Sequence, residues 1–331
     1  MDPIPPRYDE SIHPYSTPPG GDLNAYNEYG MTSIHSAIEN NDTDLVRSLL
    51  WQGADPYKRI SAELTPRDNA VEFAARLNRT TALQALIDDE IPVSINTLEA
   101  AVSQGNLDAA NLLLQHTSEG KVKKESIAKA LKTAAALWLL DMVRLLLQNG
   151  PIDNSVLNVT LLAACTNNQF VLDLYQPTPA WDWDRAIAVV QLLLDAGASV
   201  KGEFDFGITP LHQAARQPYV PTRFILLLLE AGADVDARDT DQSTPLLWSL
   251  SYHRWSEEAV RELVRAGADA NAVGTVYGNT PLHYAPTETI ARLLLEGGAD
   301  VHIKNEDWKT PLDMAKELDR HEVVELLGSS N

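Results

Sequence analysis

The sequence predicts an all-α array of about nine helix–turn–helix repeats joined by short β-hairpin-like turns, and three observations predict it. Thr-Pro pairs at Thr209, Thr244, Thr280 and Thr310 recur every 30 to 36 residues. A Gly-Ala step recurs out of phase with them, at Gly53, Gly197, Gly232, Gly267 and Gly298, and Asp follows it in all but one case. Between the two marks lie apolar runs of helical length, such as Phe224–Leu229. The same register is thus read twice, by independent halves of one repeat.

The stretch from Gly207 to Ala237 carries the pattern most completely, and each piece has a mechanical reason. Thr209-Pro210 suits a helix start: a hydroxyl accepts a free amide at the N-cap, and Pro fits the first helical position. Leu211, Ala214 and Ala215 keep that helix thin enough to pack closely on a neighbour. Phe224–Leu229 makes a second helix with a wide apolar face. Gly232 ends it, because the left-handed C′ conformation costs Gly least. Asp234-Val235-Asp236-Ala237 then enters a polar turn.

Thr-Pro-Leu-His followed by two small residues, and Leu-Leu-Leu with Gly-Ala-Asp-Val behind it, resemble the ankyrin repeat, whose period is about 33 residues. The resemblance covers about Asn27 to Gly328 and is strongest from Gly197 onward. In chain order, residues 1–26 form a Pro/Gly-rich arm that forbids a regular helix; it reads either as a flexible tail or as an extended arm docked through Ile4, Tyr8, Ile12 and Tyr15. Residues 27–331 form the repeat domain. The first repeat starts near Asn27 with a softened motif, Thr32-Ser33-Ile34-His35. The second replaces Thr-Pro-Leu-His with Asn69-Ala70-Val71-Glu72, and the third and fourth keep only the Ala pairs and Leu runs. The fifth carries an irregular insertion at about 167–184. The sixth is the stretch above, the seventh lengthens its turn at Tyr252-His253-Arg254-Trp255, and the eighth is shortened by Pro286. The ninth, from Thr310, has the polar flank of a C-terminal cap, which stacked repeats need because the last face has no neighbour.

Composition narrows the function classes. The chain has 331 residues, a formal net charge of −20 and one Cys. The acidic balance argues against nucleic acid, which needs clustered Lys and Arg, and favours basic or neutral partners. The Leu runs are short and interrupted, so no membrane span is expected. A lone Cys165 beside Ala163-Ala164 reads as a small core residue in a reducing interior, cytosol or nucleus. There is no nucleotide-binding Gly loop and no metal-ligand spacing, so neither cofactor nor metal is expected.

The resemblance implies that His35, His212 and His283 are structural, and that partners are held on a concave surface of turn tips and first helices. Residue by residue, that surface and the irregular turns give Tyr29, Trp181, Trp183, Asp205, Phe206, Arg216, Asp241, Tyr252, Trp255 and Tyr277 as binding candidates. Aromatics mixed with charges are what binding surfaces use. The resulting expectation is a non-catalytic scaffold or adaptor for a neutral or basic protein. The competing expectation is a biosynthetic enzyme or small-molecule binder with an aromatic and acidic pocket around repeats five to seven. There Asp182, Asp184 and His253 would serve as acid or base, Arg254 would hold an anion and Tyr252 would donate a proton.

Overall fold

Helices come in pairs among the described residues, as the alternation of Ala-rich and Leu-rich segments requires. The computed structural model describes residues 21–61, 67–116, 121–166, 182–202, 204–217, 219–250, 255–275 and 277–329, and the chain divides into two compact units, Met1–Ala130 and Leu131–Asn331. The first holds α1 (Ser33–Glu39), α2 (Thr43–Trp51), α3 (Ala70–Arg76), α4 (Thr80–Asp88), α5 (Ile95–Val102) and α6 (Leu107–His116). The segment α7 (Lys121–Ala136) contains the boundary. The second holds α8 (Leu140–Gln148), α9 (Asn154–Cys165), α10 (Trp183–Asp195), α11 (Pro210–Ala215), α12 (Thr222–Glu230), α13 (Pro245–Leu250), α14 (Glu257–Arg265), α15 (Pro281–Tyr284), α16 (Glu288–Glu296), α17 (Pro311–Glu317) and α18 (His321–Gly328). No strand occurs among the described residues.

Packing follows the expected two rows. In the first unit α1, α3 and α5 contact in succession, as do α2, α4 and α6. In the second, α9, α11, α13, α15 and α17 form one row and α8, α10, α12, α14, α16 and α18 the other. Buried Ala pairs, such as Ala214 and Ala215, let the short first helices approach closely, while Leu193, Ile225, Leu228 and Leu294 fill the space between the rows. The second helices end as expected. Gly232 sits at φ +88°, its N–H reaches Leu229 O at 2.9 Å, and Ala233 N–H reaches Leu228 O at 3.0 Å. These are the two bonds of a Schellman cap. Asp234 Oδ1 then accepts from Asp236 N at 3.1 Å, so the Asp after Gly-Ala shapes the turn.

The first helices start on one recurring network. Thr209 Oγ1–H donates to His212 Nδ1 at 2.9 Å, and His212 Nε2–H donates to Ser243 O of the next turn at 3.0 Å. Thr280 and His283 repeat it, with Lys309 O as acceptor at 3.0 Å. Each imidazole therefore caps its own helix and staples it to the following repeat. Burial lowers the pKa of His212 and of His283, and pushes His35 down to about 4, only partly offset by Asp68. Protonating Nδ1 would also set a new donor against the Thr hydroxyl and amide. The second repeat builds the same joint with a carboxylate. Glu72 accepts from Asn69 N at 3.2 Å, from Ser94 Oγ at 3.1 Å, and from Arg59 Nη1 at 2.9 Å. Arg59 is what makes a buried carboxylate tolerable there. In the last repeat Asp313 caps Thr310 instead, and the hydrogen bonds from Thr310 lower its pKa.

One feature of the sequence reading meets the structure differently. The end of the expected insertion is helical: Asp182 N-caps α10 through Arg185 N at 3.0 Å, so Trp183 and Asp184 open that helix. Most of the insertion, 167–181, lies outside the described residues, as does the arm up to residue 20. The last arm residues lie against the first turn. Asn24 Oδ1 accepts from Asp55 N at 2.8 Å, Tyr26 OH donates to Arg59 O at 2.9 Å, and Lys58 Nζ lies 4.4 Å from the Tyr26 ring. Cys165 is buried and its thiol pKa is raised by burial, so it stays a thiol.

Two outcomes are expected. Leu228→Asp should cost several kcal/mol of stability and lower the urea midpoint, because it buries an unpaired carboxylate; an unchanged midpoint would refute the register. Acidification should also destabilise the fold. The histidine pKa values are depressed, so the unfolded chain takes up protons first as pH falls below 6.5, and stability present above that pH is lost on the way down toward about 4 for His35. At pH 5 His35 alone accounts for about 2 kcal/mol. Calorimetry from pH 7 to pH 5 should show a falling Tm, less steep in His35→Leu.

Candidate functional site

A groove of about 580 Å³ opens on the second unit between the turns that precede α13, α15 and α17. Its walls carry Asp239, Asp241, Asp307 and Glu317 against one ammonium, Lys309, and its apolar surface comes from Leu247, Trp248, Tyr277, Tyr284 and Met314. The turns that build it are self-braced. Asp239 Oδ1 accepts from Asp241 N at 2.9 Å and Ser243 N at 2.8 Å, and its Oδ2 accepts from Trp248 Nε1 at 2.7 Å. Asn305 does the same for the last turn, accepting from Asp307 N and Lys309 N at 3.0 Å, while its amide donates to Asn279 Oδ1 at 2.8 Å. Trp248 is held further by the His212 ring, edge-on at 5.3 Å, and by the Arg216 guanidinium 5.8 Å from the indole.

Two departures from the repeat open this space. Position 247, where His212 and His283 have imidazole, is Leu, which supplies apolar wall and no donor. The first helix of the next repeat, α15, is a single turn: Pro286 holds Ala285 at ψ 112°, outside the helix. Arg320 Nη1 compensates by donating to His283 O at 3.2 Å and Ala285 O at 3.0 Å. Lys309 pairs with Glu317 across the groove's outer edge, which raises the Lys309 pKa.

The turn tips form a row linked through the backbone. Thr240 N donates to Phe206 O at 2.9 Å, Thr275 N to Asp241 O at 2.8 Å, and Glu306 N to Tyr277 O at 3.1 Å. At Gly278 a Cβ would stand 3.2 Å from Glu306 N, so the close approach of neighbouring tips also needs glycine there.

Of the residues expected to bind, Asp241 and Tyr277 line the groove, Arg216 lies behind its Trp248 wall, and Asp205 and Phe206 sit one tip away, solvent-exposed. Tyr29 occupies the equivalent tip of the first unit. Trp183 packs between Trp138 and Phe224, each ring centroid 5.5 Å away. Trp255 is partly exposed at the start of α14. Asp182 is exposed and ion-paired with Arg185 at 2.9 Å, and Asp184 is exposed on the first turn of α10. Trp181, Tyr252, His253 and Arg254 lie outside the described residues. Sequence reasoning did not single out Asp239, Trp248, Asn305 or Lys309 as site residues. The trace they leave is an Asx five residues before the helix-capping Thr at 239 and 305, and at 248 a Trp in the variable position that Gln213, Tyr284 and Met314 hold in the neighbouring repeats.

Comparison with known proteins decides the family. Models described as ankyrin repeats match residues 183–273, 219–305 and 255–331, and a single ankyrin repeat matches 29–60. The chain belongs to the ankyrin-repeat family. Ankyrin repeat and SOCS box protein 16 of Homo sapiens is similar, 33% identical over 232 residues, covering 66% of this chain and 46% of that protein. Neurogenic locus notch homolog protein 1 of Xenopus tropicalis is 34% identical over 126 residues, 37% of this chain and 5% of that one. Palmitoyltransferase ZDHHC13 of Homo sapiens is 31% identical over 160 residues, 37% of this chain and 25% of that one. The chain thus spans less than half the length of each of these relatives. Ankyrin repeats in general mediate protein–protein interaction. Among the described residues no cluster of metal-ligating side chains occurs, and no helix is long and apolar enough to cross a membrane.

In this ankyrin array Asp239 is the brace of the groove. Asp239→Ala leaves two amides and an indole N–H without their acceptor, and each such loss costs about 1–3 kcal/mol where the group stays dry. The urea midpoint should fall and Trp248 emission should shift to the red. Asp239→Asn keeps an acceptor for the turn, as Asn305 does in its own, and should cost much less.

Proposed function

We propose that this ankyrin array is a non-catalytic protein-binding scaffold that holds a basic segment of a partner in the groove of its last three repeats. One observation carries the reading: an open groove in which braced aromatic walls stand among four carboxylates and a single ammonium. Trp and Tyr supply large contact area at low entropic cost, and their surroundings select for positive charge. His212 and His283 are held neutral in structural hydrogen bonds, and Asp239 is occupied by three donors of its own, Asp241 N, Ser243 N and Trp248 Nε1.

The net charge of −20 should steer a basic partner toward the protein, so association should slow as salt rises. Replacing Asp205, Asp241 and Asp307 together by Asn should weaken binding about tenfold, at roughly 0.5 kcal/mol for each exposed pair lost. Proteins captured from a native extract by the wild type, and lost with Tyr277→Ala or with the triple Asn variant, are the expected result. A partner held equally by wild type and both variants would overturn the groove as the binding face.

A further inference from the structure

The turn tips of the last four repeats carry, at one register position, Phe206, Asp241, Tyr277 and Asp307: aromatic, acid, aromatic, acid. Asp suits a tight turn without further reason. The aromatics do not. Phe206 and Tyr277 sit at φ 58° and 62°, each followed by a Gly also at positive φ, in a geometry that favours Asn or Asp. A left-handed side chain costs about 1–2 kcal/mol. Neither ring recovers that by burial, since Phe206 is 71% and Tyr277 64% exposed. Backbone strain of this kind clusters at sites where ligands are held, and of the exposed aromatics at positive φ (Phe206, Tyr219, Tyr277 and Trp308) Tyr277 is the one that lines the groove.

Resting on the scaffold reading, we infer that the groove takes an extended segment bearing two arginines at positions i and i+6, with a side chain between them that packs on Tyr277. Spacing sets the number. Helices in contact lie about 8–10 Å apart, so Asp241 and Asp307, two repeats apart, are about 16–20 Å from each other. An extended strand advances about 3.3 Å per residue, and a polyproline II segment about 3.1 Å, so six residues span about 19–20 Å in either form. The residue at i+6 is also the position that returns to the same face in both, since their periods are two and three. Arginine fits better than lysine. Its planar guanidinium meets a carboxylate with two hydrogen bonds and stacks on an aromatic face, and Asp241, Tyr277 and Asp307 stand on successive tips and all line the groove.

The test uses the full chain and three fluorescent 14-residue peptides. They share one composition, Gly, Ser, a central Leu and two Arg, with the Arg pair at i,i+1, i,i+6 or i,i+10. Anisotropy at low salt should show the i,i+6 peptide binding at least tenfold tighter than the other two, with the preference lost in the Asp241→Asn/Asp307→Asn variant. Both substitutions lie at exposed turn tips, where Asn is equally at home, and circular dichroism verifies the fold. Equal affinity for the three spacings, no binding of any peptide, or a preference that survives in the double variant overturns the inference. The scaffold reading fails separately: there the native partner stays bound to both the Tyr277→Ala variant and the triple Asn variant. Spacing-independent peptide binding that Tyr277→Ala abolishes would remove the i,i+6 rule and leave the groove standing.

Discussion

The last repeats are held in pitch by one buried joint, built at His212 and His283: an imidazole that accepts from its own Thr cap and donates to the carbonyl of the next repeat. Neither bond is strong alone, at roughly 1 kcal/mol net each. Their placement matters more than their size. The same ring fixes where a helix begins and how far away the following turn lies, so local helix geometry and repeat pitch are set together. A repeat array has no central core to enforce pitch, and nearest-neighbour joints of this kind take over that task. The substitutions at the ends of the series obey the same chemistry. Glu72 and Asp313 offer a carboxylate where a ring nitrogen would accept, and Glu72 needs Arg59 because it is buried and charged.

The groove exists because that joint is missing between His212 and His283. Leu247 replaces the imidazole, and Pro286 removes the later turns of the next first helix. What remains is an indole wall whose polar edge is consumed by Asp239 and whose faces are pinned by His212 and Arg216. A wall held this way loses little freedom when a ligand lies against it, which is the main saving open to a preformed recognition surface.

The repeat register was legible in the sequence because each half of the motif is a local device. Thr209-Pro210 makes a cap and Gly232 makes a stop whatever surrounds them, so residue spacing sufficed. Asp241 and Tyr277 could be placed on the tips for the same reason, since they stand at a fixed distance before a capping Thr. Trp248 and Asn305 could not be placed, because their roles depend on partners 9 and 26 residues away, Asp239 and Asn279. The start of α10 was hidden in another way. Trp183 reads as a loop aromatic until Asp182 is seen to cap the helix and Trp138 and Phe224 are seen to enclose the ring.

The interruption at Leu247 also has a mechanical side. Between repeats seven and eight the linkage moves outward, to Arg238, whose guanidinium bridges Gln242 O at 2.8 Å and Val273 O at 3.0 Å, and to Thr275 on Asp241 O. These bonds are exposed to water and exchange with it readily, unlike the buried imidazole joints on either side. Repeats eight and nine are therefore fastened to the rest of the unit by a seam whose turn-side bonds are solvent-exposed. Amide hydrogens of α15 to α18 should open to deuterium as a block, at lower free energy than those of α11 and α12. A molecule seated in the groove would bridge that seam, so its occupancy would be written into exchange rates well away from the groove itself.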